Sequence, residues 1–100
     1  MIIQYKINKK INKIRIFGSD FVSNNKKKLE ILYDNKYYQL NELFDIKSIK
    51  ETKNILELKL IKLKNITDMR AMFQDCSLLL NIVDSSHWNT NNIINMSNLF

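Results

Sequence analysis

The chain contains no proline and a single glycine, Gly18. Glycine and proline are the usual punctuation of turns, one by reaching positive φ and the other by presetting φ. Asparagine must take over here, because it tolerates left-handed backbone and closes turns with its own side chain. The clearest case is Asp34-Asn35. It separates the strand-like runs Leu29 to Tyr33 and Lys36 to Leu40, and both residues tolerate positive φ, so a two-residue hairpin loop fits.

Periodicity supplies the other elements. Ile3, Tyr5 and Ile7 alternate with Gln4, Lys6 and Asn8, and Ile14 and Ile16 alternate with Lys13 and Arg15, giving two strands joined by a turn over 8–12. Ser19 is placed to cap a short helix over 20–24 with Phe21 and Val22 inward, and Asn41 to cap another through Leu43, Phe44 and Ile46. Residues 47–54 are polar and predict a loop. Leu56, Leu58 and Leu60 alternate with Glu57 and Lys59, an amphipathic strand, and Ile61 breaks the phase and predicts a bend or a bulge.

After Lys64 the pattern changes. Asn65-Ile66-Thr67-Asp68-Met69-Arg70-Ala71-Met72-Phe73 and Asn92-Ile93-Ile94-Asn95-Met96-Ser97-Asn98-Leu99-Phe100 place Asn, Ile, Met and Phe alike, 92 − 65 = 27 residues apart. That offset falls within the roughly 20–29 residues of leucine-rich repeats. Met69, Met72, Phe73 and Cys76 are spaced to line one face of a short helix, with Thr67 or Asp68 as its cap. Leu78 to Val83 predicts a buried strand, with a helix as the weaker alternative, and Trp88 requires a large apolar pocket. The expected repeat core is Met69, Met72, Phe73, Cys76, Leu79, Ile82, Trp88, Met96, Leu99 and Phe100, with the second copy stacked on the first.

The order Ile66-Thr67-Asp68-Met69, Met72-Phe73, Cys76-Ser77, Leu79, then Trp88-Asn89-Thr90 and Asn95-Met96-Ser97, resembles the BspA-like leucine-rich repeats. Residues 14–26 are similar to the lead-in of some protist members. Three departures stand out: the spacing is long, Leu78 occupies a position where a small residue is usual, and Leu99 replaces the second methionine. The resemblance implies a non-enzymatic scaffold used in adhesion and protein–protein contact. The expected fold is α+β: a β-rich N-terminal capping module over 1–63, then the start of a leucine-rich-type solenoid over 64–100. Met96, Leu99 and Phe100 would end that array open to water, which makes self-association an expectation.

Composition bounds the chemistry. The net charge is +6, which attracts polyanions. Yet arginine occurs only at Arg15 and Arg70. Heavy use of Lys, Asn and Ile follows from AT-rich codons as readily as from selection for a basic surface. Lys26-Lys27-Lys28 reads as a solvated loop. His87 has Asp84, Ser85, Ser86 and Cys76 near it in sequence, but no glycine-rich turn presents a nucleophile. Cys76 falls on an apolar face, where a thiol acts as a small hydrophobe. One His and one Cys cannot complete a zinc site. No catalytic, cofactor or metal residues are therefore expected. The N-terminal apolar run is broken by Gln4 and Lys6, which speaks against a signal peptide, and no run reaches membrane-spanning length; if Met1 is the true start, a cytoplasmic location is expected.

The leading expectation is a protein partner. The alternative is a small basic nucleic-acid-binding protein, with Tyr33, Tyr37 and Tyr38 beside Lys36 as a stacking surface, although cross-strand packing accounts for those rings too. That alternative predicts retention on single-stranded nucleic acid at low salt, with affinity falling steeply as salt rises. No retention even at low salt would eliminate it.

Overall fold

A computed structural model describes residues 1–47, 49, 53–64, 66 and 68–84. The elements are β1 (Ile2–Lys6), β2 (Lys13–Arg15), α1 (Ser19–Asn25), β3 (Leu29–Tyr33), β4 (Lys36–Gln39), β5 (Leu43–Asp45), β6 (Ile55–Lys62) and β7 (Leu79–Asp84). Five strands form one sheet in the order β4-β3-β6-β1-β7, and β2 and β5 form a second sheet of two strands. Every pairing is antiparallel.

The alternation read from sequence sets the faces of the large sheet. Ile3 and Tyr5 of β1, Leu56, Leu58 and Leu60 of β6, and Leu29 and Ile31 of β3 are buried on one side. Their neighbours Gln4, Glu57 and Lys59 are not, and Gln4 Nε2 donates to Glu57 Oε1 across the strands at 3.0 Å. The buried face is covered by Phe21 and Val22 of α1, by Ile14 and Phe44 of the small sheet, and by the segment 66–76. The β3–β4 hairpin turns on Asp34 (φ 51°) and Asn35 (φ 62°), the two positive-φ residues a primed turn requires.

The expected α+β fold with a leucine-rich-type solenoid is overturned. The protein is a mostly β globule of two antiparallel sheets with one short helix among the described residues. The chain after residue 64 does not begin a stack. Its strand β7 pairs with β1 and becomes the fifth strand of the large sheet. Residues on both sides of position 63/64 share one core, in which Ile66, Met69, Met72, Phe73 and Cys76 lie with Ile3, Tyr5, Ile16 and Phe21.

No helix forms over 69–76. Ala71 (φ 58°) and Asp75 (φ 62°) are left-handed, which breaks an α-helix. The backbone closes instead through four-residue turns, Met72 N donating to Met69 O, Gln74 N to Ala71 O and Cys76 N to Phe73 O. Three successive turns bring the same four side chains inward that one helical face would have. Likewise the helix expected after Asn41 is strand β5. Only Phe44 and Ile46 of that stretch are buried, two residues apart, while Leu43 is exposed, which is a strand's period. Asn41 Oδ1 accepts from Glu42 N, closing a turn rather than capping a helix. Ser19 is the first residue of α1 rather than its cap, a place taken by Gly18 without a side-chain bond. No bulge occurs at Ile61, since β6 stays in register with β3 through Lys62.

Gly18 sits where two backbones meet. Its N–H donates to Met72 O at 2.9 Å, and a Cβ added there would overlap the carbonyl oxygen of Ala71. Around this point Phe17 packs on Phe21 and Phe73, with ring centroids 5.4 and 6.0 Å away. Gly18→Ala is expected to destabilise the protein by about 1–3 kcal/mol, the usual cost of forcing atoms into a packed site. Urea denaturation would show this as a lower midpoint, and an unchanged midpoint would refute the contact.

Candidate functional site

The segment 66–76 delivers the chain to an edge strand with two half-exposed apolar side chains. Asp68 Oδ1 accepts from Arg70 N at 2.9 Å, a local turn that fixes the segment's start. Asn25 anchors it to α1, its buried amide donating to Phe21 O at 3.0 Å and to Asp68 O at 2.9 Å. Gly18 holds its middle, and Lys6 N donates to Leu78 O at 2.8 Å where the chain turns into β7.

β7 heads the sheet, and no described strand pairs with its outer side. Its pairing with β1 runs Ile2↔Asp84, Ile3↔Ile82, Gln4↔Asn81 and Tyr5↔Leu79, with the register shifting twice. Each shift leaves one residue of β7 without a counterpart. These are Leu80 and Val83, the extra residues of two β-bulges. Leu80 is 50% exposed and Val83 49%. A shallow depression of about 320 Å³ opens on Leu79, Leu80, Asn81 and Ile82.

The residues expected as the repeat core divide into three sets. Met69, Met72, Phe73 and Cys76 are buried together. Leu79 and Ile82 are half-buried, packed against that core through their pairing with Tyr5 and Ile3. Trp88, Met96, Leu99 and Phe100 lie outside the described residues, as does His87. Sequence reasoning took Leu78 to Val83 for a buried strand and so missed the exposure of Leu80 and Val83. The signal was present: apolar doublets at 79–80 and 82–83 flank Asn81, and a regular strand with one wet face does not carry adjacent apolar pairs.

The tyrosines of the hairpin are used otherwise than as a bare stacking surface. Tyr33 and Tyr38 both set their edges against Phe44 of the small sheet, at 5.7 and 5.3 Å between centroids. These rings, with Ile31, Leu43 and Ile49, line a groove of about 540 Å³ where the two sheets meet. Tyr37 stands apart and is 63% exposed. Among the described residues no group of three or more His, Cys, Asp or Glu side chains is placed to hold a metal ion, and no helix is long and apolar enough to cross a membrane.

Two groups of the core are perturbed, Tyr5 and Cys76. Tyr5 Oη donates to Ile16 O at 2.6 Å and is fully buried. That burial, with the Cys76 sulfur beside it, raises the phenol far above its ordinary value of 10. Burial likewise pushes the Cys76 thiol from 9 up to about 11, partly countered by Arg15 and reinforced by Asp75.

These features define a small antiparallel β-sheet protein with a bulged, apolar open edge. A family profile described as Mycoplasma protein of unknown function, DUF285, matches residues 38–100. That is more than half of the chain, and the chain belongs to this family. No curated protein and no solved structure matches it.

A thiol whose folded pKa is raised stabilises the fold below its unfolded value, and the contribution is lost as pH climbs to the folded one. For Cys76 that window runs from pH 9 to about 11. Over it the wild type is expected to lose roughly 2 kcal/mol more stability than Cys76→Ala. Urea midpoints of both proteins across this range measure the difference, and parallel curves would show that the thiol is not buried.

Proposed function

We propose that the protein is a non-enzymatic protein-binding module, as its likeness to BspA-like repeats implies, and that it contacts its partner through the β7 edge. The observation that carries this reading is the pair of half-exposed apolar side chains, Leu80 and Val83, raised by two bulges on the outermost strand. Bulges spoil a strand edge as a template for another strand, because successive N–H and C=O groups no longer point in register. What such an edge offers is side chains. The occupant that suits it is an apolar segment of a partner protein seated on Leu80 and Val83, with Asn81 exposed between them as a polar fixing point.

The test places a photo-reactive residue at Leu80 and, separately, at Tyr37 on the opposite edge of the sheet. Crosslinking at Leu80 is expected to capture a defined protein that Tyr37 does not. That protein, purified, should bind the wild type saturably. The double variant Leu80→Asp, Val83→Asp should bind roughly tenfold more weakly or worse, as truncation of a central apolar contact does, with an unchanged unfolding midpoint. Capture of the same species from both positions, or a double variant that binds as tightly as the wild type, would overturn the proposal.

A further inference from the structure

The lysine run that reads in sequence as a solvated loop gains neighbours in the fold. Lys26, Lys27 and Lys28 form the turn between α1 and β3. The carbonyl of Lys28 accepts from Leu63 N at 2.8 Å and from Lys64 N at 3.3 Å, so the end of β6 lies directly against that turn. Lys62 stands opposite Leu29 in the same ladder. Five lysines from two distant stretches therefore converge on one corner of the sheet. Lys26, Lys27 and Lys64 are exposed, and Lys28 and Lys62 are half-buried. Leu63 lies among them and is 52% exposed. Among the described residues, nearby acids include Glu30, next along β3, and Asp68, which Arg70 holds at 3.7 Å and Asn24 at 3.3 Å, and Lys62 is itself engaged within the fold.

We infer that this corner is an electrostatic docking site for a membrane surface rich in anionic lipid. The chemistry favours that ligand over a nucleic acid. The cluster is built of lysines alone, which act as point charges and lack the planar fork that reads phosphates or bases in pairs. It contains no aromatic ring on which a base could stack. It does contain an exposed leucine ringed by charge, the combination that binds a lipid interface by attraction of the headgroups and insertion of an apolar side chain. The site is independent of the β7 edge and of the partner proposed for it.

Co-sedimentation of the full chain with vesicles tests this. Vesicles of phosphatidylcholine carrying phosphatidylglycerol are expected to bind the protein at low salt, with binding lost as salt rises. Pure phosphatidylcholine vesicles are expected to leave it in solution. Lys26→Gln, Lys27→Gln and Lys64→Gln together should weaken binding by roughly fivefold for each lysine neutralised, the factor that corresponds to about 1 kcal/mol per charge at such a surface. Leu63→Ser should weaken it with the charge unchanged. All four positions are exposed or half-exposed, and circular dichroism would confirm that the variants fold. Equal binding to both vesicle types, or full binding by the triple variant, would overturn the inference. So would single-stranded DNA displacing the protein from anionic vesicles through the same lysines, which would make the corner a nucleic-acid site.

Discussion

The backbone contact between Gly18 and the Ala71–Met72 peptide is the constraint on which much of the structure depends. It joins the start of α1 to a segment more than fifty residues further along the chain, without any side chain between them. From that contact the segment 66–76 can lay Met69, Met72, Phe73 and Cys76 over the buried face of the sheet. From its end the chain enters β7 beside β1. The left-handed backbone at Ala71 costs about 1–2 kcal/mol in a residue with a side chain, and the Gly18–Met72 hydrogen bond together with the buried methionines offsets it. One glycine in the chain has been spent at the place where no other residue fits, and the loops are left to asparagine and aspartate.

Much of the large sheet was legible in the sequence. The alternations that define β1, β3 and β6, and the Asp34-Asn35 turn, are local signals, and each strand has one wet face to make the period visible. What failed were the stretches where two periods compete. Met69, Met72, Phe73 and Cys76 satisfy a helical spacing, yet the residues between them take left-handed backbone, which no pattern of hydrophobicity reports. Leu43, Phe44 and Ile46 are too few to separate three-and-four spacing from two. The 27-residue recurrence is a genuine feature of the sequence, but recurrence does not say what its first copy pairs with. Here the chain that follows the first copy pairs as β7 with β1, and the second copy lies outside the described residues. The candidate contact edge was readable only in hindsight, from the apolar doublets around Asn81.

Charge and aromatic residues show a similar division. The lysine run at 26–28 is visible in the sequence, whereas its meeting with Lys62 and Lys64 exists only after β6 pairs with β3. Tyr33 and Tyr38 are paired in sequence terms with the hairpin, but the ring they share is Phe44, from a strand of the other sheet. Edge-to-face contacts of this kind contribute about 0.5–1.5 kcal/mol beyond burial, and here they tie the small sheet to the hairpin. The two edges of the large sheet are protected differently. β4 is short and carries Lys36, and β7 is twisted by its bulges; both devices discourage uncontrolled strand-to-strand growth.

The position of β1 between β6 and β7 also has a consequence for how the chain acquires its structure. β1 is an interior strand, and both of its partners lie far downstream, within residues 55–84. Pairings this far apart in sequence close large loops before any contact repays the entropy, which places folding on the slow side of the range for small domains. At synthesis rates of roughly 5–20 residues per second, Ile3 and Tyr5 wait for several seconds before either partner strand exists. During that interval the β3–β4 hairpin can already form alone, since its turn is local. One edge of the sheet, the β3–β4 hairpin, is thus ready early, whereas the interior is completed only when residues 55–84 arrive to pair on both sides of β1.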